Sequence, residues 1–173
     1  SGETLVLNES ERNINMNNQT IASTLNQKAK KIVHDFSLLK SPSGEETDWE
    51  LKYEKIIDLG KKWPGLQDQF KTDDLKVKGC QSQVWLKADK APDGTISFRG
   101  DSDAILVKGL VALVLTVYNN ETPEDILTFE PDFLKELGLD TGLSPSRSNG
   151  LYSMVKQVKY YAMAFKYLKN NPI

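Results

Sequence analysis

The sequence is short of thiols and imidazoles: its 173 residues hold one cysteine, Cys80, and one histidine, His34. One cysteine excludes an intramolecular disulfide, and it excludes a Cys-rich zinc or iron–sulfur centre built from this chain alone. No long apolar run is present either. The stretch from Ile105 to Tyr118 is broken by Lys108 and Gly109, and it falls short of the roughly 20 residues that a membrane span needs. Basic charge is not in surplus. Lysine and arginine number 22 against 24 acids, for a net charge of -2, which argues against a nucleic-acid partner. The N-terminus carries Glu3, Glu9, Glu11 and Arg12 without an apolar segment and cleavage site, so no signal peptide is read there. The expected location is the cytoplasm, with no membrane partner.

What is present suits one domain. Hydrophobic residues make up 39% of the chain, enough for a real core at this length. Residues 1–18 are polar and aperiodic. They are read as a disordered N-terminal extension, or in part a leftover of expression at Ser1-Gly2, with Met16 as the native start. Residues 19–173 are expected to form a single domain.

Ile21, Leu25, Ala29, Ile32, Val33 and Phe36 fall at helical spacing, which predicts a helix with one buried face. Ser41-Pro42-Ser43-Gly44 reads as a loop. Thr47-Asp48-Trp49-Glu50 has the form of a capping box. Trp49, Tyr53, Ile56, Ile57 and Gly60 continue a second helical stripe, which Trp63-Pro64-Gly65 should stop. Val84, Leu86 and Ala88 alternate with polar neighbours, as do Ile96 and Phe98, and Pro92-Asp93-Gly94 lies between them. That is the signature of a hairpin. The apolar run from Ala104 to Tyr118 is too long for an ordinary strand and is read as a central helix, with Ser102 and Asp103 offering a cap. Thr122-Pro123-Glu124-Asp125 starts another helix. A short helix near Pro131 to Leu137 should end at Gly138. The last helix follows Ser144-Pro145-Ser146-Arg147-Ser148 and carries Leu151, Met154, Val155, Val158, Ala162, Phe165 and Leu168 on one face. The expected class is α+β: a small antiparallel sheet with helices packed on one side.

Cys80 lies in Lys78-Gly79-Cys80-Gln81-Ser82-Gln83, just before the first clear strand. Gly79 permits backbone angles closed to other residues. Gln81 and Ser82 are polar enough to line a loop. A structural cysteine prefers the middle of an apolar run, whereas reactive groups collect on loops held by a scaffold. Reactivity needs the thiolate, so Lys76, Lys78 and Arg147 are the candidates for lowering its pKa. Asp101 and Asp103, in Gly100-Asp101-Ser102-Asp103, read either as acids at a helix start or, with Gln83, as contacts to a partner. Arg147 opposes the dipole of the helix it opens. It should therefore have a specific partner, such as Asp101, Asp103, a backbone carbonyl or the Cys80 thiolate. His34 sits at the edge of an apolar stripe and is read as a surface residue rather than a catalytic base.

Taken together these segments resemble the SufE family of sulfur acceptors. The resemblance rests on Gly79-Cys80-Gln81-Ser82-Gln83-Val84-Trp85, on Gly100-Asp101-Ser102-Asp103-Ala104 with Lys108-Gly109-Leu110, and on Ser144-Pro145-Ser146-Arg147-Ser148. Trp49-Glu50 with Lys52-Tyr53 and Thr122-Pro123 with Asp125-Ile126 agree, in family order from about Thr47 to Ala164. The resemblance implies a domain similar to the IscU scaffold. It implies a pyridoxal-phosphate cysteine desulfurase of SufS type as partner, sulfur transfer onto Cys80, stimulation of the desulfurase, and delivery to an iron–sulfur assembly scaffold complex. It implies no cofactor and no metal in this chain itself. The polar N-terminus and the 40–46 insertion depart from the family pattern and carry no functional inference. Two readings stand beside it: a CsdE-like acceptor serving a different desulfurase, and a non-covalent module that regulates a desulfurase. A cysteine-nucleophile hydrolase would need His34 as its base.

Overall fold

The computed structural model describes Asn8 and residues 24–40, 42–44 and 49–170. The readings of residues 1–18 other than Asn8, of Ile21 and of the capping residues Thr47 and Asp48 fall outside them. The first helix, α1 (residues 24–37), buries Leu25, Ala29 and Phe36 as the spacing predicts. Helix α2 (Trp49–Lys62) ends just before Trp63-Pro64-Gly65, where Gly65 takes φ +73°. Strands β1 (Val84–Lys90) and β2 (Ile96–Ser102) pair antiparallel, with Leu86 opposite Gly100 and Val84 opposite Ser102. Their turn is closed by the Asp93 carboxylate, which accepts from the Thr95 amide at 3.0 Å and the Thr95 hydroxyl at 2.7 Å. Gly94 supplies the left-handed residue, φ +88°, that the turn demands.

Helix α3 (Ile105–Tyr118) is the axis of the core. Leu110, Val111, Leu113 and Leu115 are fully buried, and each such side chain contributes about 2 kcal/mol relative to exposure. Helices α4 (Pro123–Thr128), α5 (Asp132–Glu136) and α6 (Pro145–Asn170) follow. Thr122 caps α4 by accepting from the Asp125 amide, and Gly138 at φ +75° ends the turn after α5. Helices α3 and α6 pack on one side of the hairpin, which gives the α+β architecture that the pattern predicts. The buried face of α6 runs through Leu151, Met154, Val155, Val158 and Ala162. It does not reach Leu168, which is 45% exposed, because the helix outruns the core beneath it.

Two features depart from the sequence reading. Trp85 should alternate outward, yet it is buried. The outer face of the hairpin is covered by residues 63–76: Lys71 Nζ lies 5.7 Å from the Trp85 ring centre, and the Phe70 ring meets Lys87 and Arg99. Ser102 does not cap α3. It ends β2, and Ala104 stands at the cap without a side-chain bond, since the hydroxyl of Ser102 is spent two residues earlier on the Gln83 carbonyl.

Helices α2 and α3 cross at two glycines. A Cβ at Gly60 would sit 2.7 Å from the Gly109 amide nitrogen, and one at Gly109 would overlap the Ile56 carbonyl. This contact sets how deeply α3 sits behind the loop that carries Cys80. No helix among the described residues is long and apolar enough to cross a membrane.

Candidate functional site

Cys80 sits at the tip of a short excursion of the chain. The Val77 amide donates to the Val84 carbonyl at 2.8 Å, and Lys76 bridges Trp85. Residues 78–83 are therefore a loop clamped at its base by strand pairing. The far end is clamped a second time. The Asp103 carboxylate accepts from the Gln83 amide at 3.0 Å, and the Gln83 carbonyl accepts from the Ser102 hydroxyl at 2.8 Å. Asp103 thus braces the loop. Gln83, whose side chain is exposed, is held through its backbone.

The loop lies against the start of α6 because glycine stands on both sides of the contact. Gly79 has φ +89°, and a Cβ there would fall 2.7 Å from the Ser153 hydroxyl. A Cβ at Gly150 would come within 3.3 Å of the Cys80 sulfur. The Cys80 thiol donates to the Gly150 carbonyl at 3.5 Å. It opens on a cavity of about 240 Å3, with Val107, Leu110 and Met154 as an apolar floor and Gln81, Ser82, Ser144, Ser146 and Arg147 as a polar rim. That is room for several waters at roughly 30 Å3 each, and so for an added sulfur atom.

The sequence reading of this site needs three corrections. The thiol is not activated in this arrangement: burial pushes its pKa up, since a thiolate loses solvation there. Lys76 pairs with Asp73 at 3.1 Å, and with Lys78 it lines a different hollow beside Gln157 and Tyr160. Asp101 is not a surface acid. It is buried, and its carboxylate accepts from the Leu66 amide at 3.0 Å and the Ser102 amide at 2.9 Å. Lys71 and Lys108 stand 3.4 and 3.7 Å from it. Burial raises its pKa, but those amides and cations outweigh burial and the net shift is downward. Arg147, finally, holds neither acid. Its guanidinium makes no hydrogen bond or ion pair among the described residues and stands exposed on the cavity rim. Only its amide is engaged, with the Ser144 hydroxyl that caps α6.

Gly150, Met154, Val107 and Leu110 belong to the site and were not picked out as such from the sequence. Gly150 carried a usable signal. A glycine inside a helical pattern costs about 1 kcal/mol against alanine and so calls for a packing reason, which here is the Cys80 loop. His34 is exposed on α1. No group of three or more potential metal ligands occurs among the described residues.

This α+β arrangement is shared with a solved relative, the solution structure of a hypothetical protein from Thermus thermophilus. The match has a TM-score of 0.63 at 21% identity and covers 80% of this chain and 96% of that one. The family then follows from sequence. Residues 30–162 match the model of the SufE family, described as an Fe-S metabolism associated domain. The chain is also 40% identical over 144 residues to an uncharacterized SufE-like protein, slr1419, of Synechocystis sp. (strain ATCC 27184 / PCC 6803 / Kazusa), covering 83% of this chain and 86% of the other. The chain belongs to the SufE family.

Proposed function

We propose that the protein is a covalent sulfur carrier that accepts persulfide sulfur from a cysteine desulfurase onto Cys80 and passes it to iron–sulfur cluster assembly. The observation that carries this reading is the placement of the only thiol of the chain at the tip of a braced loop, over a cavity with room for one more sulfur. Membership of a family associated with iron–sulfur metabolism supports it.

The step is an exchange at sulfur. The Cys80 thiolate attacks the terminal sulfur of a donor cysteine persulfide, and a new sulfur–sulfur bond forms as the donor's own bond breaks. The electron pair leaves on the donor thiolate, which takes up the proton that Cys80 gave. Nothing is oxidised overall, so neither a redox cofactor nor a metal is required of this chain. The pyridoxal phosphate belongs to the desulfurase. The persulfide carried on Cys80 is then attacked in its turn by an acceptor thiol. Chemistry of this kind also needs no turnover machinery here, which makes the protein a carrier and activator rather than an enzyme.

In the closed arrangement the thiol is half-buried, its pKa is raised, and the Gly150 carbonyl accepts its proton. A sulfur held there is kept from water and oxidants. Transfer then requires residues 78–83 to swing out, which breaks the contacts at Gly150 and Ser153 but need not break the strand clamp at Val77 and Val84. Turnover of a SufS-type desulfurase tests the role. Added protein should raise its cysteine consumption, and Cys80→Ser should not. Equal stimulation by both would favour a non-covalent regulator.

A further inference from the structure

The motif Trp49-Glu50 with Lys52-Tyr53 takes no part in the chemistry above, yet the first turns of α2 reach the Cys80 cavity from behind. The connection from α5 to α6 runs over them. Lys52 Nζ donates to the Leu137 carbonyl at 3.0 Å and lies 4.5 Å from the Trp49 ring centre. The Trp49 ring occupies the space that a Cβ at Gly142 would need. The Tyr53 hydroxyl donates to the Gly142 carbonyl at 2.8 Å. That carbonyl precedes buried Leu143, and the next residue, Ser144, is the first on the rim of the cavity. The loop's own backbone bonds, such as the Leu139 amide to the Leu134 carbonyl at 3.0 Å and the Gly142 amide to the Gly138 carbonyl at 2.9 Å, fold it back toward α5. They do not reach forward to the rim.

The other end of α2 meets α3 at Gly60 and Gly109. Gly109 lies between Val107 and Leu110, which form the cavity floor. One helix therefore sets both the depth of the floor and the position of the wall.

We propose that the start of α2 is a clasp that positions the Ser144–Arg147 wall against Cys80, with Tyr53 as the positioning residue. The proposal rests on Cys80 being the working group, and it concerns how that thiol is enclosed. With the Tyr53 hydroxyl removed, the wall is tied only by the Trp49 ring and Leu143. Water then reaches the cavity more often, and the burial that holds the thiol neutral is weakened.

The test is the pH profile of iodoacetamide alkylation of the free protein, in wild type, Tyr53→Phe and Tyr161→Phe. Tyr161 is the control. Its hydroxyl donates to the Leu86 carbonyl, also at 2.8 Å and also part-buried, but it lies eleven residues beyond Gly150, roughly 16 Å along α6. Both variants lose one tyrosine–carbonyl bond, so both should lose similar stability. Tyr53→Phe is expected to move the midpoint to lower pH and to raise the rate at neutral pH by roughly two- to tenfold, the weight of one such bond. Tyr161→Phe should keep the wild-type profile. An unmoved profile in Tyr53→Phe, or equal movement in both variants, overturns the proposal. If Tyr53→Phe does not fold, Lys52→Met, which frees the Leu137 carbonyl, is judged by the same criterion. The readout needs no sulfur donor, so failure of sulfur transfer and failure of the clasp are separate results.

Discussion

Replacing Gly79 by alanine should unlatch the Cys80 loop without unfolding the domain. At φ +89° the backbone is in the left-handed region, where a residue with a Cβ pays roughly 1–2 kcal/mol. The new methyl would also stand 2.7 Å from the Ser153 hydroxyl, which can turn away only by giving up its 3.0 Å bond to the Asn149 carbonyl. That bond is worth about 0.5–1.5 kcal/mol. Both costs fall on the closed loop, because the clamp at Val77–Val84 and the braces at Gln83 lie outside the strained residue. The loop can escape them by opening. The closed-to-open equilibrium should therefore move by about 1–2 kcal/mol, a factor of roughly 5–30. Alkylation of Cys80 by iodoacetamide, followed by intact mass, should accelerate by that factor while the melting temperature changes little. Gly79→Ala combined with Ser153→Ala should fall between wild type and the single variant, since the clash is relieved and the backbone cost is not. Wild-type alkylation in Gly79→Ala would refute the idea that this glycine holds the loop shut.

The remaining expectations follow from charge. The raised thiol pKa of Cys80 means that its contribution to stability is intact below the ordinary thiol pKa and is lost as pH rises through the folded value; Cys80→Ser should lack this alkaline loss in urea titrations. Asp101 has the opposite sign. Its lowered pKa gives stability above the ordinary carboxylate pKa that is lost as pH falls through the folded value. Asp101→Asn should cost about 1.5–3 kcal/mol at neutral pH, the range for bonds to a charged group, and should flatten the acid limb. Arg147→Ala should leave thermal stability within about 0.5 kcal/mol, as for a surface substitution, and should slow sulfur acceptance. A marked drop in melting temperature would restore the architectural role that the geometry denies it.

Much of the fold was legible because local patterns decided it. The alternation through Val84, Leu86, Ile96 and Phe98 around Pro92-Asp93-Gly94 fixed the hairpin. The apolar run ending at Tyr118 fixed the central helix, and Thr122 and Gly138 marked their helix ends. Trp85 was misread because its cover comes from residues 63–76, which meet the hairpin only in three dimensions. The site divides in the same way. Cys80 and Gly79 stood out from their neighbours in sequence, whereas the floor of Val107, Leu110 and Met154 looks in sequence like any other core. The charges were the least legible. Asp101 reads as a surface acid until Leu66, Lys71 and Lys108 are brought around it, and Arg147 reads as a brace until its guanidinium is seen to hold nothing.

The central claim is that sulfur resides on Cys80, and intact mass tests it most directly. Wild-type protein and Cys80→Ser are each incubated with a SufS-type cysteine desulfurase and free cysteine, and the masses are read before and after reduction. The account requires a gain of about 32 Da, one sulfur atom, on wild type alone, removed by a thiol reductant as expected for a persulfide. No gain on wild type, or the same gain on Cys80→Ser, would contradict it.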